Sequence, residues 1–226
     1  MNKQQNILIL IGSPKGKSST SNSLGDYFSS KLQEFGLSVE KNYIYKIVKK
    51  PEREKELLSK VNNTDLIILA FPLYVDCLPA GVIEVLELIA NHRKSLGTEK
   101  KIGLVVLINC GFPESEQNNT AIKICTIFAH EVGFEWKGAL SLGMGGAVGG
   151  RALEERGGMV RNLKKGYDLA AQALAEGNII PEEAIELTAK RFIPKKLYTM
   201  MGNFMWNRQA KKFGIRKKEI KNKPYA

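Results

Sequence analysis

Residues Gly12-Ser13-Pro14-Lys15-Gly16-Lys17-Ser18-Ser19-Thr20-Ser21-Asn22 combine two glycines, two lysines and four hydroxyls in a row. They follow the apolar run Asn6 to Ile11, which reads as a strand buried on both faces. Leu24, Tyr27, Phe28, Leu32 and Phe35 then recur at helical spacing. A strand, a hydroxyl-rich loop and a helix start direct free backbone N–H groups and the positive end of a helix dipole at one spot. The chemistry is anion binding, most often of a phosphate. The alternative is a plain connection in which one Ser or Thr caps the helix. A cap needs one hydroxyl, and this segment offers four.

Spacing narrows the anion. A triphosphate-binding loop needs four residues between its first Gly and Gly-Lys-Ser/Thr. Here three residues separate Gly12 from Gly16-Lys17-Ser18. The dinucleotide pattern Gly-x-Gly-x-x-Gly fails because position 14 is Pro. A single terminal phosphate remains. Two further segments look built for a ligand. Phe71-Pro72-Leu73-Tyr74-Val75-Asp76-Cys77-Leu78-Pro79-Ala80 is a stiff connection between two prolines that presents Leu73, Tyr74 and Val75, or else a turn whose Tyr packs locally. Asn109-Cys110-Gly111-Phe112-Pro113-Glu114 carries a glycine that lets a ligand approach the backbone. Cys110 reads as a packing residue, since no base or second cysteine stands beside it in sequence. The glycine-rich stretch Gly143 to Gly150 is either a lip over a ligand or a free connection.

These segments resemble the NAD(P)H-dependent FMN reductases of the flavodoxin-like group. That group carries Gly-Ser-Pro, a basic residue and a Ser/Asn/Thr cluster after its first strand, and a Pro-x-Tyr-x-x-x-x-Pro-Ala loop after its third. The resemblance implies that Ser13, Lys15, Ser19, Thr20 and Ser21 hold the FMN phosphate. It implies that Pro72, Leu73, Tyr74 and Val75 border the flat flavin ring. Asn109, Cys110, Gly111 and Phe112 would meet its pyrimidine edge. The implied activity takes hydride from NAD(P)H and passes electrons to a quinone, a flavin, an aromatic compound or a protein. The flavin carries that chemistry, so no catalytic side chain is expected. A second reading is a flavin-binding electron carrier with little reductase activity of its own. The chain lacks the Lys and the Asp-Arg pair that the group often carries on the next helix, having Gly81-Val82-Ile83-Glu84 at its start.

The elements that must position these loops are legible as well. Apolar or alternating runs mark strands at Asn6–Ile11, Ser38–Tyr45, Leu66–Phe71, Ile102–Ile108 and Trp136–Leu142. Helical patterns lie near Glu52–Val61, Ala80–Leu96, Glu116–Val132 and Arg151–Glu176. Strand and helix alternating in this way give an α/β fold, a doubly wound five-stranded parallel sheet. The expected order is 2-1-3-4-5, flavodoxin-like, with the ligand at the reversal between strands 1 and 3.

Domain organisation follows charge. The 226 residues carry a net charge of +11, yet residues 1–188 hold 22 groups of each sign. Residues 189–226 hold 12 Lys/Arg and one acid, Glu219. The reading is a flavodoxin-like FMN-binding domain over 1–178 and a helical, basic C-terminal extension over 179–226. In the extension, Leu197, Met200, Met201, Phe204, Met205 and Trp206 mix with lysines and arginines. It reads as a homo-oligomer contact, with an anionic lipid surface or an acidic redox partner as alternatives. No nucleic-acid module is recognised, no apolar run is long enough to span a membrane, and no signal-peptide pattern opens the chain. Cys77, Cys110 and Cys125 are odd in number and widely spaced, which fits a reducing cytoplasm and neither a disulfide framework nor a metal cluster. His92 and His130 read as helix-surface residues, so no metal site is expected.

Overall fold

The computed structural model describes residues 5–97, 100–216 and 219–222. The chain divides into two compact units, Met1–Lys190 and Arg191–Ala226.

Five strands form the first unit's sheet: β1 (Asn6–Ile11), β2 (Ser38–Tyr43), β3 (Leu66–Pro72), β4 (Gly103–Asn109) and β5 (Glu135–Leu142). All pairings are parallel, in the order β2-β1-β3-β4-β5. Every residue of β4 is buried, as a strand covered by helices on both sides requires. Period-two alternation sends Leu8, Leu10, Ile67, Leu69, Phe71, Leu104, Val106 and Ile108 to one face. Helices α2 (Pro51–Asn63), α3 (Ala80–Leu96) and α4 (Asn119–Glu131) cover that face with Leu57, Val61, Val82, Val85, Ile89 and Cys125.

The opposite face is covered by α1 (Thr20–Glu34). Gly25 lets it sit close: a Cβ there would lie 2.8 Å from Ile11 Cδ1. Past β5 come a single turn, α5 (Gly145–Val148), and then α6 (Arg161–Ala175). The buried rings of Phe28 and Tyr167 pack edge to face at 5.2 Å between α1 and α6, and Tyr27 donates its hydroxyl proton to Asp168 at 2.8 Å. Burial and that carboxylate push the Tyr27 pKa well above its ordinary value.

Most boundaries differ from the sequence expectation by a residue or two, and three of the differences have a local cause. The second strand stops at Tyr43, because Ile44–Lys46 forms a 3-10 turn closed by Ile47 N to Ile44 O at 2.8 Å. The fourth helix opens with a 3-10 turn over Ser115–Asn118. The helix expected from Arg151 is broken at Gly157 (φ 55°, ψ −142°), a conformation closed to residues with a Cβ, and α6 begins only at Arg161. Helix α7 (Glu182–Ala189) packs on α6 and β5 within the first unit. It is admitted by Gly166, whose added Cβ would stand 2.8 Å from Ala184 O. Just before it, Ile180 N donates to Lys137 O at 2.8 Å.

In the second unit, α8 (Lys195–Lys212) starts after Pro194 and buries none of its side chains. Lys217, Lys218, Lys223, Pro224 and Tyr225 lie outside the described residues. No helix among the described residues is long and apolar enough to cross a membrane.

Candidate functional site

The carboxyl ends of β1, β3, β4 and β5 bring four loops together where the strand order reverses. The β1 loop is tucked first. Gly12 N donates to Ala70 O at 2.7 Å, and a Cβ on Gly12 would collide with the Val82 side chain. A tight turn follows, with Gly16 N on Ser13 O at 3.0 Å and Ser18 Oγ donating to Lys15 O at 2.9 Å. Ser13 is buried, while Lys15 and Lys17 are exposed.

The hydroxyls of this loop are largely spent inside the protein. Ser19 is the N-cap of α1: its Oγ accepts from Asn22 N at 3.1 Å and donates to Gly16 O at 2.6 Å. Ser21 is wholly buried and its Oγ accepts from Asn109 Nδ2 at 2.9 Å. Thr20 Oγ1 donates to Gly145 O at 3.0 Å. What stays open is backbone. The amides of Thr20 and Ser21, in the first turn of α1, have no hydrogen bond among the described residues. A buried N–H without a partner costs free energy comparable to a lost hydrogen bond, unless water or a ligand satisfies it.

These bonds make a circuit around the loops. Asn109 reaches Ser21 on one side and Phe71 O, at 3.2 Å, on the other. Leu73 N donates to Asn109 O at 2.8 Å. Met144 N donates to Phe112 O at 2.7 Å, and Gly145 N to Cys110 O at 2.8 Å. Thr20 then returns from Gly145 to α1. The glycine-rich stretch after β5 is thus a fixed part of the site rather than a free connection. At its end, Gly150 (φ 73°) lies so close that a Cβ would strike the Ser18 carbonyl.

The loop after β3 is built differently. Tyr74 and Cys77 exchange backbone hydrogen bonds at 3.0 Å in both directions, closing a two-residue turn. Its tip residues, Val75 (φ 50°) and Asp76 (φ 57°), hold a left-handed conformation that Asn-Gly usually takes. For β-branched Val75 this is strained, and the residue is 98% exposed. Tyr74 beside it is exposed, and desolvation and the neighbouring Tyr45 raise its pKa, so it keeps its proton. In the loop after β4, Phe112 is exposed, and a Cβ on Gly111 would meet nothing within 4 Å.

Of the residues expected from sequence, Ser13, Ser19, Thr20, Ser21, Asn109 and Cys110 form the inner framework. Lys15, Leu73, Tyr74, Val75, Gly111 and Phe112 keep surface toward solvent, and Pro72 ends β3 beneath them. Burial raises the Cys110 thiol pKa, and its Sγ lies 3.4 Å from Glu114 O, which suits packing rather than nucleophilic chemistry. Sequence reasoning missed Asn22. Its side chain bonds Lys17 O at 3.2 Å and Tyr43 Oη at 2.8 Å, tying the β1 loop to β2. It also missed Asn118, fully buried, whose Nδ2 reaches Ser141 Oγ at 3.0 Å and Leu142 O at 3.3 Å. An Asn at a helix start was the available signal for both. Cavities of about 200, 230 and 310 Å³ lie elsewhere: at the amino ends of β1 and β2, beside α2, and along the β5 edge. No group of three or more metal-ligating side chains occurs among the described residues.

A family model described as flavodoxin-like fold matches residues 5–130. Among solved structures, a flavone reductase aligns with a TM-score of 0.59 at 12% identity, over 82% of this chain and 70% of that one. The FMN-dependent NADH-azoreductase from Bacillus anthracis str. Ames Ancestor, in complex with FMN, aligns at 0.54 and 13% identity, over 76% and 100%. Rubredoxin oxygen:oxidoreductase from the anaerobe Desulfovibrio gigas aligns at 0.54 and 11% identity, over 77% of this chain. The chain spans only 36% of that last protein's length. No curated protein matches the chain in sequence.

Proposed function

The chain belongs to the flavodoxin-like fold family, and on that premise we propose that it is an FMN-dependent oxidoreductase taking hydride from NAD(P)H. The observation that carries this reading is the pair of unbonded amides, Thr20 and Ser21, at the start of a 15-residue helix at the sheet reversal. Such a helix start favours a phosphate through its aligned amides and dipole. The residues present fit the group. The amides of Thr20 and Ser21, with Lys15 and Lys17, would hold the phosphate. Tyr74, Val75, Gly111 and Phe112 would border the ring. Ser19, Ser21 and Asn109 act one step removed, by holding the loops in place.

FMN supplies the hydride and electron chemistry when bound. The chain's own task is placement. Neutral Tyr74 offers a hydrogen-bond donor in the β3 loop rather than a base. Cys110 stays a protonated packing group. No side chain at the site is assigned as acid, base or nucleophile. The acceptor is a quinone, a flavin, an aromatic compound or a redox protein. Likeness in fold to an FMN-dependent NADH-azoreductase and a flavone reductase supports the reading by analogy only. Three free thiols, Cys77, Cys110 and Cys125, suit a cytoplasmic location.

The test is the purified, FMN-saturated protein mixed anaerobically with NADPH or NADH in a stopped-flow spectrometer. Retained flavin absorbance followed by rapid bleaching is expected with one of the two. Bound flavin that neither nucleotide bleaches would make the protein an electron carrier. A protein that retains no flavin would end the proposal.

A further inference from the structure

The second unit sets an apolar surface beside a basic one along a single helix. From Leu197 to Trp206, α8 holds no charged residue. Leu197, Met200, Met201, Phe204 and Met205 share one side of it by helical spacing. Arg208, Lys211 and Lys212 continue that same side over the last turn and a half. The separation of apolar from charged residues therefore runs along the axis rather than around it. Phe204 is 67% and Trp206 71% exposed.

The charges decide what can cover this surface. Residues 191–216 contain no Asp or Glu, and Glu219 is held by Arg216, with Nε 2.7 Å from Oε1 and the Arg216 amide 2.8 Å from Oε2. Two copies of α8 side by side would set Lys211 and Lys212 against themselves when parallel. When antiparallel, they would lie level with Lys195 and Lys196, which project from the other side of the helix. Both pairings bring together two segments of net positive charge, and the parallel one sets the cations in direct opposition. An occupant must be apolar along Leu197–Met205 and anionic beyond it. A nucleic acid offers the charge but no apolar surface of that breadth. The boundary of an anionic bilayer offers both, with acyl chains beside negatively charged headgroups, and it is where Trp and other aromatic side chains concentrate.

We propose that residues 195–216 dock the protein on an anionic lipid surface. Apolar insertion alone gives only marginal binding, and a polybasic segment is the usual second contribution. Arg208, Lys211 and Lys212 supply it here, with the remaining cations of residues 189–226 adding to the attraction. This use of the segment stands apart from the flavin reading, since it depends on no residue of the loop cluster.

The test mixes the full chain with phosphatidylcholine vesicles, with or without roughly one-third phosphatidylglycerol. Sedimentation reports binding. The expected result is co-sedimentation with the anionic vesicles alone, reversed by high salt. The triple change Arg208→Glu, Lys211→Glu, Lys212→Glu should weaken partitioning by at least about tenfold, with an unchanged circular dichroism spectrum and melting temperature. Phe204→Ser with Met205→Ser should remove the binding while leaving every charge in place. Equal binding to neutral vesicles, or none to either kind, overturns the proposal. So does a light-scattering mass of two or more chains that falls to one in the Phe204→Ser, Met205→Ser variant, which would assign the surface to a second copy.

Discussion

The loops after β1 and β3 both leave largely buried strands at the same end of the sheet, yet they are made in opposite ways. The β1 loop turns three of its hydroxyls inward: Ser19 caps α1, Ser21 meets Asn109 and Thr20 meets Gly145. What it leaves open is main chain, the amides of Thr20 and Ser21. The β3 loop turns its main chain inward, with Tyr74 and Cys77 paired and Leu73 N on Asn109 O. What it leaves open is side chain: Tyr74 and a strained, exposed Val75. Backbone donors suit a small charged group that must be held in one place, and apolar and aromatic side chains suit a broad flat one. A ligand with a phosphate at one end and a ring at the other would use both.

Substitutions can break that contrast. The largest loss is expected for Gly150→Val, whose Cβ would strike the Ser18 carbonyl at a φ of 73°. Clash and backbone strain together should cost about 2–4 kcal/mol in urea unfolding and displace the β1 loop. A variant as stable as the parent would mean that the β5 loop does not fix the β1 loop. Next comes Ser21→Ala, which leaves the buried Asn109 amide with Phe71 O alone and should cost about 1–3 kcal/mol. Fluorescence-monitored unfolding checks it, and a loss of FMN affinity with no loss of stability would mean that Ser21 touches the ligand directly. Ser19→Ala removes the α1 cap and should cost about 1 kcal/mol, while Ser19→Asp should recover most of it. The smallest effect has the opposite sign. Asp76→Gly relieves a left-handed residue in the β3 turn and should raise the unfolding free energy by up to about 1 kcal/mol. A decrease would show that the Asp76 side chain does something the turn geometry does not require.

The contrast also explains which parts of the molecule were legible in the sequence. Strands β1, β3 and β4 announce themselves because burial on both faces demands unbroken apolar runs. Once they are placed, the parallel order and the site's location follow from topology. The four-hydroxyl run stands out in the sequence but its bonding does not, because the choice between capping, packing and ligand contact depends on distant partners. Ser21 and Asn109 stand 88 residues apart, and Thr20 and Gly145 stand 125 apart. The turn at Val75-Asp76 carries no Asn-Gly signature, so nothing local gives it away. The pair Gly149-Gly150 did carry a signal, since adjacent glycines often mark a close backbone approach. Its target, the Ser18 carbonyl, is visible only in the fold.

The central claim is that the first turn of α1 holds a phosphate whose ring end lies at the β3 and β4 loops. Titrating the full chain with FMN and, separately, with riboflavin tests it most directly, because the two ligands share the ring and differ in the phosphate. Each charge-assisted hydrogen bond contributes about 1.5–3 kcal/mol, so two of them predict that FMN binds at least about a hundredfold tighter. Equal affinity for the two, or no quenching of either, would contradict the account.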